Sequence, residues 1–168
     1  MAKVIKVFKE SFPPLRLIGK RYIDIDRDPD GGFSQKWGEW FEQGYFQPLE
    51  QLGAAPASGD AYIGCMRCVG EFEYWIGMFF SESTPVPDGY MSVDIPASDV
   101  GICWIYGRQD TGELYGQEAH EMCMARIKEA GWSIADNPWF FELYNCPRFT
   151  TPDEEGNVIL DYGVYLRG

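Results

Sequence analysis

One carboxylate, Glu142, lies inside an aromatic run at residues 139–144, which reads Trp-Phe-Phe-Glu-Leu-Tyr. This composition favours a β-strand, and the proline-containing pairs at 137–138 and 146–147 fix its ends. A carboxylate in such company has to keep some solvent, find a partner or take up a proton, because burying a bare charge costs several kcal/mol or more. Glu142 is therefore the first candidate for chemistry.

Strand alternation places Phe140 and Tyr144 on the same face as Glu142, whereas the residues between them point to the other face. An aromatic-flanked carboxylate suits a planar cation, since aromatic faces attract cations and the carboxylate supplies the counter-charge. The alternative is a structural carboxylate that is paired with Arg148 or Lys20.

Other aromatic residues are candidates for the walls of such a pocket. The chain has six Trp, ten Tyr and eleven Phe, a 16% aromatic share that exceeds the need of a core of this size. Flat, rigid side chains in excess often line a pocket for a flat ligand. The further candidates are Trp40, Trp75, Trp104, Tyr162 and Tyr165. Each tryptophan could equally belong to the core, and buried tyrosine hydroxyls need partners.

Other reactive side chains carry weaker signals. His120, the only histidine, lies at helical spacing beside an apolar face, which predicts a packed or solvated side chain. Cys65 and Cys68 form a lone CxxC in a strand-like run, where an offset of three points them to opposite faces, so we interpret them as core thiols. We find no phosphate-binding glycine loop or metal-ligand cluster, and we expect neither a metal nor a cofactor.

The formal net charge of −12 argues against direct nucleic-acid binding, which relies on Lys and Arg to neutralise phosphates. The lysines at 3, 6 and 9 form only a short, scattered basic start. An acidic surface is compatible with cationic small molecules, although high solubility is the simpler interpretation. No run resembles a signal peptide or is long enough to span a membrane, and the five cysteines form no disulfide framework. We therefore expect a cytoplasmic protein without membrane association.

The elements that carry these residues form two similar units. The first unit, about 15–80, is predicted to contain a strand at 15–23, a loop at 24–32, a helix from Ser34, and strands at 62–68 and 72–80. A linker rich in turn-forming residues follows at 81–97. The second unit, about 98–166, is predicted to contain a strand at 101–106, a helix at 113–130, and strands at 139–145 and 158–166.

Two β-α-β-β units of similar length indicate an internal duplication. We expect one α+β domain over 1–168, with an antiparallel sheet, two helices packed on one of its faces and a ligand cleft between the halves.

The segment at 137–144, followed by Leu-Asp-Tyr-Gly-Val-Tyr at 160–165, resembles the C-terminal signature of the GyrI-like (gyrase-inhibitor-like) effector-binding family. Ile-Pro-Ala at 95–97 and Leu-Arg-Leu-Ile-Gly at 15–19 also fit, so the resemblance covers essentially the whole chain. It implies a duplicated β-α-β-β fold around a hydrophobic ligand pocket with Glu142 as the pocket glutamate. In multidrug-sensing regulators this domain is fused to a DNA-binding helix-turn-helix; with the first strand near residue 15, the resemblance implies a stand-alone domain here.

Some stand-alone members of that family act as hydrolases that open the cyclopropane of flat DNA-alkylating natural products. The resemblance then implies Glu142 as a general base for water and Tyr144 as a donor to the phenolate that forms. A glutamate among aromatics has a raised pKa, which suits a base that works near neutral pH.

Three functions follow as expectations. The first is the binding of hydrophobic, planar and cationic small molecules for protection against toxins, and the second is hydrolysis of reactive compounds of that shape. The third is an acidic interaction protein that engages a topoisomerase-like partner. An open cleft with Glu142 and at least two tryptophans would favour the first two, and a cleft filled by side chains would favour the third.

Overall fold

The computed structural model describes residues 1–53, 60–145 and 147–167. Its strands, numbered in chain order, are β1 Lys3–Phe12, β2 Leu15–Tyr22, β3 Tyr62–Val69, β4 Glu71–Ser81, β5 Met91–Ile95, β6 Ser98–Arg108, β7 Phe140–Tyr144 and β8 Asn157–Tyr165. Its helices are α1 Ser34–Gln43, α2 Phe46–Glu50 and α3 Gln117–Glu129, with one 3-10 turn at Asp24–Asp26. Most of the loop after Gly53 lies outside the described residues, as does Cys146.

All eight strands form one antiparallel sheet in the order β1-β6-β8-β7-β3-β4-β2-β5. The order is symmetric about the central pair β7–β3, because each strand of one half has its counterpart at the same distance on the other side. The predicted α+β class and antiparallel sheet are therefore confirmed, and the strands of the two expected units occupy equivalent places.

The two outer strands were not predicted. β1 pairs with β6 of the second half, and β5, inside the segment expected to be a linker, pairs with β2 of the first half. A register shift between Val4 and Lys6 interrupts the alternation of β1, so its side chains do not follow a simple period of two. β5 has only five residues, and its side chains are mostly exposed.

The sheet curls strongly. Links of two residues join β1 to β2 and β5 to β6, although the members of each pair lie near opposite ends of the strand order. Phe12 of β1 also reaches Phe141 of β7, with ring centroids 5.7 Å apart, whereas three strand spacings in a flat sheet would separate them by about 14 Å. One face of the sheet therefore folds inward around an apolar core.

The helices pack on the other face. α1 and α2 cover a cluster that includes Trp40, Leu49 and Met78, and α3 covers a second cluster that includes Cys123 and Leu160. Gly44, whose φ of 68° suits a glycine, caps the C-terminal end of α1, and α2 begins after two intervening residues. α3 begins at residue 117 rather than at the expected 113, because residues 113–114 lie in a turn, 115–116 form a bend, and Gly116 has a φ of 91°.

Candidate functional site

An open cleft of about 1100 Å³ lies on the helix-covered face, above the central strands β3 and β7. The cleft is lined by both halves of the fold. Its aromatic residues from the first half are Phe33, Trp37, Phe41, Tyr62, Phe72 and Tyr74. Those from the second half are Tyr115, Phe140, Tyr144, Phe149 and Tyr162. Ligand pockets commonly reach about 1,000 Å³, so the cleft has room for a drug-sized molecule.

Glu142 lies at the floor of this cleft, with only 7% of its surface exposed. Its neighbours across the sheet are Gly64 of β3 and Tyr162 of β8. The Tyr74 hydroxyl donates to Glu142 Oε1 at 3.3 Å. A Cβ atom on Gly64 would approach Tyr74 Oη to 2.7 Å and Glu142 Oε1 to 3.0 Å, so the glycine leaves the room that this pair occupies.

Trp37 of α1 orients the Tyr74 hydroxyl. Its indole Nε1 donates to Tyr74 Oη at 2.8 Å. Because an indole N–H can only donate, the tyrosine oxygen accepts from Trp37 and directs its own proton towards Glu142. The Tyr74 ring is held by Phe33, which stacks on it with ring centroids 4.3 Å apart. The carboxylate thus has a prearranged hydrogen-bond donor that is supported from the helix.

Burial raises the pKa of Glu142 to about 7, and hydrogen bonds from Tyr144 and Tyr74 offset only part of this effect. The alternative partners from the sequence are engaged elsewhere. Arg148 binds Asp161 through two nitrogens, at 3.0 and 2.7 Å, and Lys20 donates to the Gly89 carbonyl at 3.1 Å. Among the described residues Glu142 has no ion pair, which leaves a carboxyl group without a cation inside an aromatic cleft.

A second polar pair lies beside the first. His120 Nδ1 and the Tyr162 hydroxyl are 2.6 Å apart, and the imidazole lies against Phe140 with ring centroids separated by 4.7 Å. Burial lowers the pKa of His120, which favours the neutral ring. His120, which the sequence suggested was packed or solvated, is in fact part of the cleft lining.

The side chain of Arg27, at the mouth of the cleft, already has an acidic partner. Arg27 lies over Phe33 and Phe72, at 4.9 and 4.7 Å from the ring centroids. Its Nε donates to Asp24 at 2.8 Å. Aromatic rings of this cleft therefore already contact a guanidinium group, at a point nearer to solvent than Glu142.

Four of the sequence-predicted site residues meet in the cleft: Phe140, Glu142, Tyr144 and Tyr162. Trp75, Trp104 and Tyr165 lie on the opposite face of the sheet, within or against the inward-curled core. Trp40 is fully buried beneath α1, where its Nε1 donates to the Tyr22 hydroxyl at 2.9 Å. Of the tryptophans in the described residues, only Trp37 lines the cleft, so the criterion of at least two tryptophans, which would favour a binding or hydrolytic cleft, is met only in part.

Several lining residues were not predicted from the sequence, chiefly Trp37, Tyr74, Tyr115 and His120. In β4 both faces carry aromatic residues, so alternation separates Tyr74 from Trp75 without telling which one faces the cleft. In α1 the residues at 37 and 40 both lie on the apolar side, and only the packed structure shows which one borders open space.

The remaining expectations concern the cysteines, a metal site and membrane association. Cys65 is buried in the inward-curled core, as predicted, but the prediction of a core thiol is wrong for Cys68, which lies at the exposed end of β3. Within the described ranges, no three His, Cys, Asp or Glu side chains come together as metal ligands. None of the helices described here is both long and apolar enough to cross a membrane.

Comparison with known proteins gives a likeness of fold. No protein-family model matches the chain, and no curated protein matches it in sequence. A Staphylococcus aureus MU50 protein named for bacterial transcription regulation superposes with a TM-score of 0.69 at 15% identity, over 97% of this chain and 99% of that one. SAV2435, in a structure bound to tetraphenylphosphonium, gives 0.69 at 16% identity, over 98% and 95%.

EcmrR, in a cryo-EM complex with DNA, matches 96% of this chain with a TM-score of 0.58 at 12% identity, and the match spans 57% of the EcmrR chain. At these identities the likenesses concern the fold alone. The chain therefore has the fold of these bacterial regulator and ligand-bound proteins, in agreement with the fold that the GyrI-like resemblance implies.

Proposed function

We propose that this chain is a GyrI-like ligand-binding domain whose cleft takes hydrophobic cations that carry planar aromatic rings, with Glu142 as the counter-ion. The observation that carries the proposal is a buried carboxyl group that faces an open aromatic cleft and has no ion pair among the described residues. The structure of SAV2435 with bound tetraphenylphosphonium, an aromatic cation, supports the same class of ligand.

The energetics of the cleft favour such a ligand. A cation over a desolvated aromatic face gains about 2 kcal/mol, and burial of the ligand's rings adds a hydrophobic contribution of about 25 cal/mol per Å². An incoming cation also removes the reason for Glu142 to stay protonated, because a nearby opposite charge favours the ionised carboxylate.

Titration with matched ions tests the proposal. Tetraphenylphosphonium and tetraphenylborate have nearly the same shape and opposite charge, so their difference isolates the electrostatic selection. We expect the phosphonium to quench Trp fluorescence with micromolar affinity and the borate to bind at least tenfold more weakly. Equal binding of the two ions, or no binding of the phosphonium, would refute the proposal.

A variant pair assigns the effect to Glu142. Glu142→Gln keeps the size of the side chain and removes its charge, and we expect it to weaken phosphonium binding at least tenfold. Glu118→Gln on α3 makes the same charge change on an exposed residue and is the matched control. Equal losses in the two variants would point to the overall negative charge rather than to the cleft.

A second function is favoured by the burial of Glu142 at the floor of an open cleft, which raises the pKa of its carboxyl group to about 7. Such a group is a suitable general base at neutral pH. In the hydrolase that we propose as the alternative, Glu142 takes a proton from water as the water oxygen attacks a cyclopropane carbon. The strained C–C bond breaks, and its electrons pass through the conjugated ring to a ring carbonyl oxygen, which becomes a phenolate oxygen. A tyrosine hydroxyl such as that of Tyr144 stabilises this oxygen by donating a hydrogen bond, and the proton that Glu142 took from water neutralises it.

Turnover separates the enzyme from the binder. The protein is incubated with a cyclopropane-bearing alkylator, and the ring-opened product is followed by chromatography. Rates for wild type and Glu142→Gln that both equal the buffer rate would exclude the hydrolase while leaving the binding proposal intact. The interaction with a topoisomerase-like partner has no comparable observation in its favour, since the cleft is open rather than filled.

A further inference from the structure

The two polar pairs of the cleft are related by the internal symmetry of the fold. Trp37 is the fourth residue of α1 (Ser34–Gln43), and His120 is the fourth residue of α3 (Gln117–Glu129). Trp37 bonds to Tyr74 on β4, and His120 bonds to Tyr162 on β8, the equivalent strand of the second half. Each half therefore sends one ring nitrogen from the first turn of its helix to one tyrosine in the cleft.

The two pairs differ in what remains available to a ligand. The indole of Trp37 has a single N–H, and its bond to Tyr74 uses that group completely. His120 has a second ring nitrogen, Nε2, for which the described residues supply no hydrogen-bond partner. The side chain is half-buried and lines the cleft. The His120–Tyr162 pair thus offers a ligand a ring nitrogen that the Trp37–Tyr74 pair does not.

Cross-strand neighbours add to this difference. On the side of the central strands, Tyr74 pairs with Met66 of β3, whereas Tyr162 pairs with Glu142 of β7. The carboxyl group and the imidazole therefore belong to the same half and flank the same tyrosine. A ligand whose cationic part lies near Glu142 has part of its body within reach of His120.

We infer that His120 is a specificity-determining residue of this cleft, which selects aromatic cations that also carry a ring hydroxyl group. The inference rests on the proposed binding function. In a neutral imidazole one nitrogen donates and the other accepts, so the role left to Nε2 depends on the tautomer that Tyr162 stabilises. A hydroxyl group both donates and accepts, so it satisfies Nε2 in either tautomer, and it accepts from the charged ring as well.

The direct test compares tetraphenylphosphonium with the three isomers of (hydroxyphenyl)triphenylphosphonium, which differ from it by one hydroxyl group. A typical intramolecular hydrogen bond contributes about 0.5–1.5 kcal/mol, which corresponds to a roughly 2- to 12-fold change in affinity. We expect at least one isomer to bind wild type tighter than the parent ion by a factor in this range. If all three hydroxyl isomers bind wild type no more tightly than tetraphenylphosphonium does, the inference is overturned.

His120→Phe tests whether the imidazole causes the tighter binding of the hydroxyl isomer, because the variant keeps a flat ring against Phe140 and removes both ring nitrogens. In this variant we expect the ratio between the affinities for the hydroxyl isomer and for the parent ion to fall to about one, whatever the affinity for the parent ion. His120→Gln, which keeps a polar side-chain end, is expected to retain part of the preference. A preference that survives in His120→Phe contradicts the inference.

One measurement needs no variant. His120 is the only histidine of the chain, so in protein without a histidine tag its imidazole ¹⁵N signals are assigned without ambiguity. The preferred hydroxyl isomer should shift the Nε2 signal, and the parent ion should shift it much less. Identical shifts with both ligands overturn the inference. A failure of the parent ion itself to bind is a separate result, since it refutes the proposed function on which the inference depends.

Discussion

The protonation of Glu142 links the cleft to the stability of the protein. The pKa of about 7 in the folded protein lies above the ordinary value of 4.5, so the folded state binds a proton more tightly than the unfolded state. The stabilisation from this group is complete at low pH and is lost as the pH rises through about 7. The carboxylate thus lowers the stability of the empty protein above neutral pH, and a cation in the cleft would remove that cost.

Unfolding by urea at pH 5 and pH 8 measures this linkage. Between these pH values, wild type should lose on the order of 2–3 kcal/mol of unfolding free energy relative to Glu142→Gln, because the variant has no group to ionise at this position. Subtracting the unfolding free energy of the variant from that of wild type at each pH cancels the contributions of the other titrating groups. A difference that stays constant between the two pH values would show that Glu142 is not held protonated.

At the scale of elements, β3 makes room for the site through Gly64. The Cβ of Gly64→Ala would meet Tyr74 Oη at 2.7 Å, and the Tyr74 ring cannot retreat freely because it stacks on Phe33. Overpacking of this kind typically costs about 1–3 kcal/mol. We expect Gly64→Ala to weaken tetraphenylphosphonium binding several-fold and to lower the melting temperature.

Gly38→Ala is the matched control for this prediction. Gly38 lies within α1, and a Cβ atom there meets nothing within 4 Å. Alanine is the better helix former by roughly 0.5–1 kcal/mol, so this variant should melt slightly higher and bind like wild type. A Gly64→Ala protein that matches wild type in both measurements would show that the close approach has no role.

The elements also show what the sequence can and cannot predict. The alternation of side chains along β7 correctly placed Glu142 and Phe141 on opposite faces of the sheet. The segment could be recognised as a strand because it is rich in aromatic residues and prolines delimit it. Alternation alone could not predict that Trp75 and Trp104 lie on the face opposite the cleft, because this depends on which face of the sheet the helices cover. β1 escaped prediction because a bulge breaks its period, and β5 because a short edge strand carries few buried residues.

At the scale of the whole molecule, the exchanged outer strands tie the two halves together. β1 begins the first half but pairs with β6, and β5 precedes the second half but pairs with β2. The two-residue links draw the ends of the sheet together, and the apolar core fills the inward face. The duplication visible in the sequence therefore produces one interlocked sheet, and the cleft lies across its central pair of strands.

Phe12 tests this interlocking. Its side chain is 3% exposed and contacts Phe141 and Tyr165 in the inward core. Phe12→Ala should cost about 3–5 kcal/mol of unfolding free energy, as other large-to-small changes in cores do. Ile5→Ala on the same strand removes an exposed side chain and should change the stability far less. Similar effects of the two substitutions would contradict the curled arrangement.

The most direct measurement on the proposed site is the ionisation state of Glu142 before and after a cation binds. At pH 6 the carboxyl ¹³C signal of Glu142, assigned by its absence in Glu142→Gln, should report a protonated acid in the empty protein, since the pKa is about 7. Saturation with tetraphenylphosphonium should shift it to the position of a carboxylate, with release of a proton. A signal that stays in the protonated position in the saturated complex would contradict the role of Glu142 as the counter-ion of a bound cation.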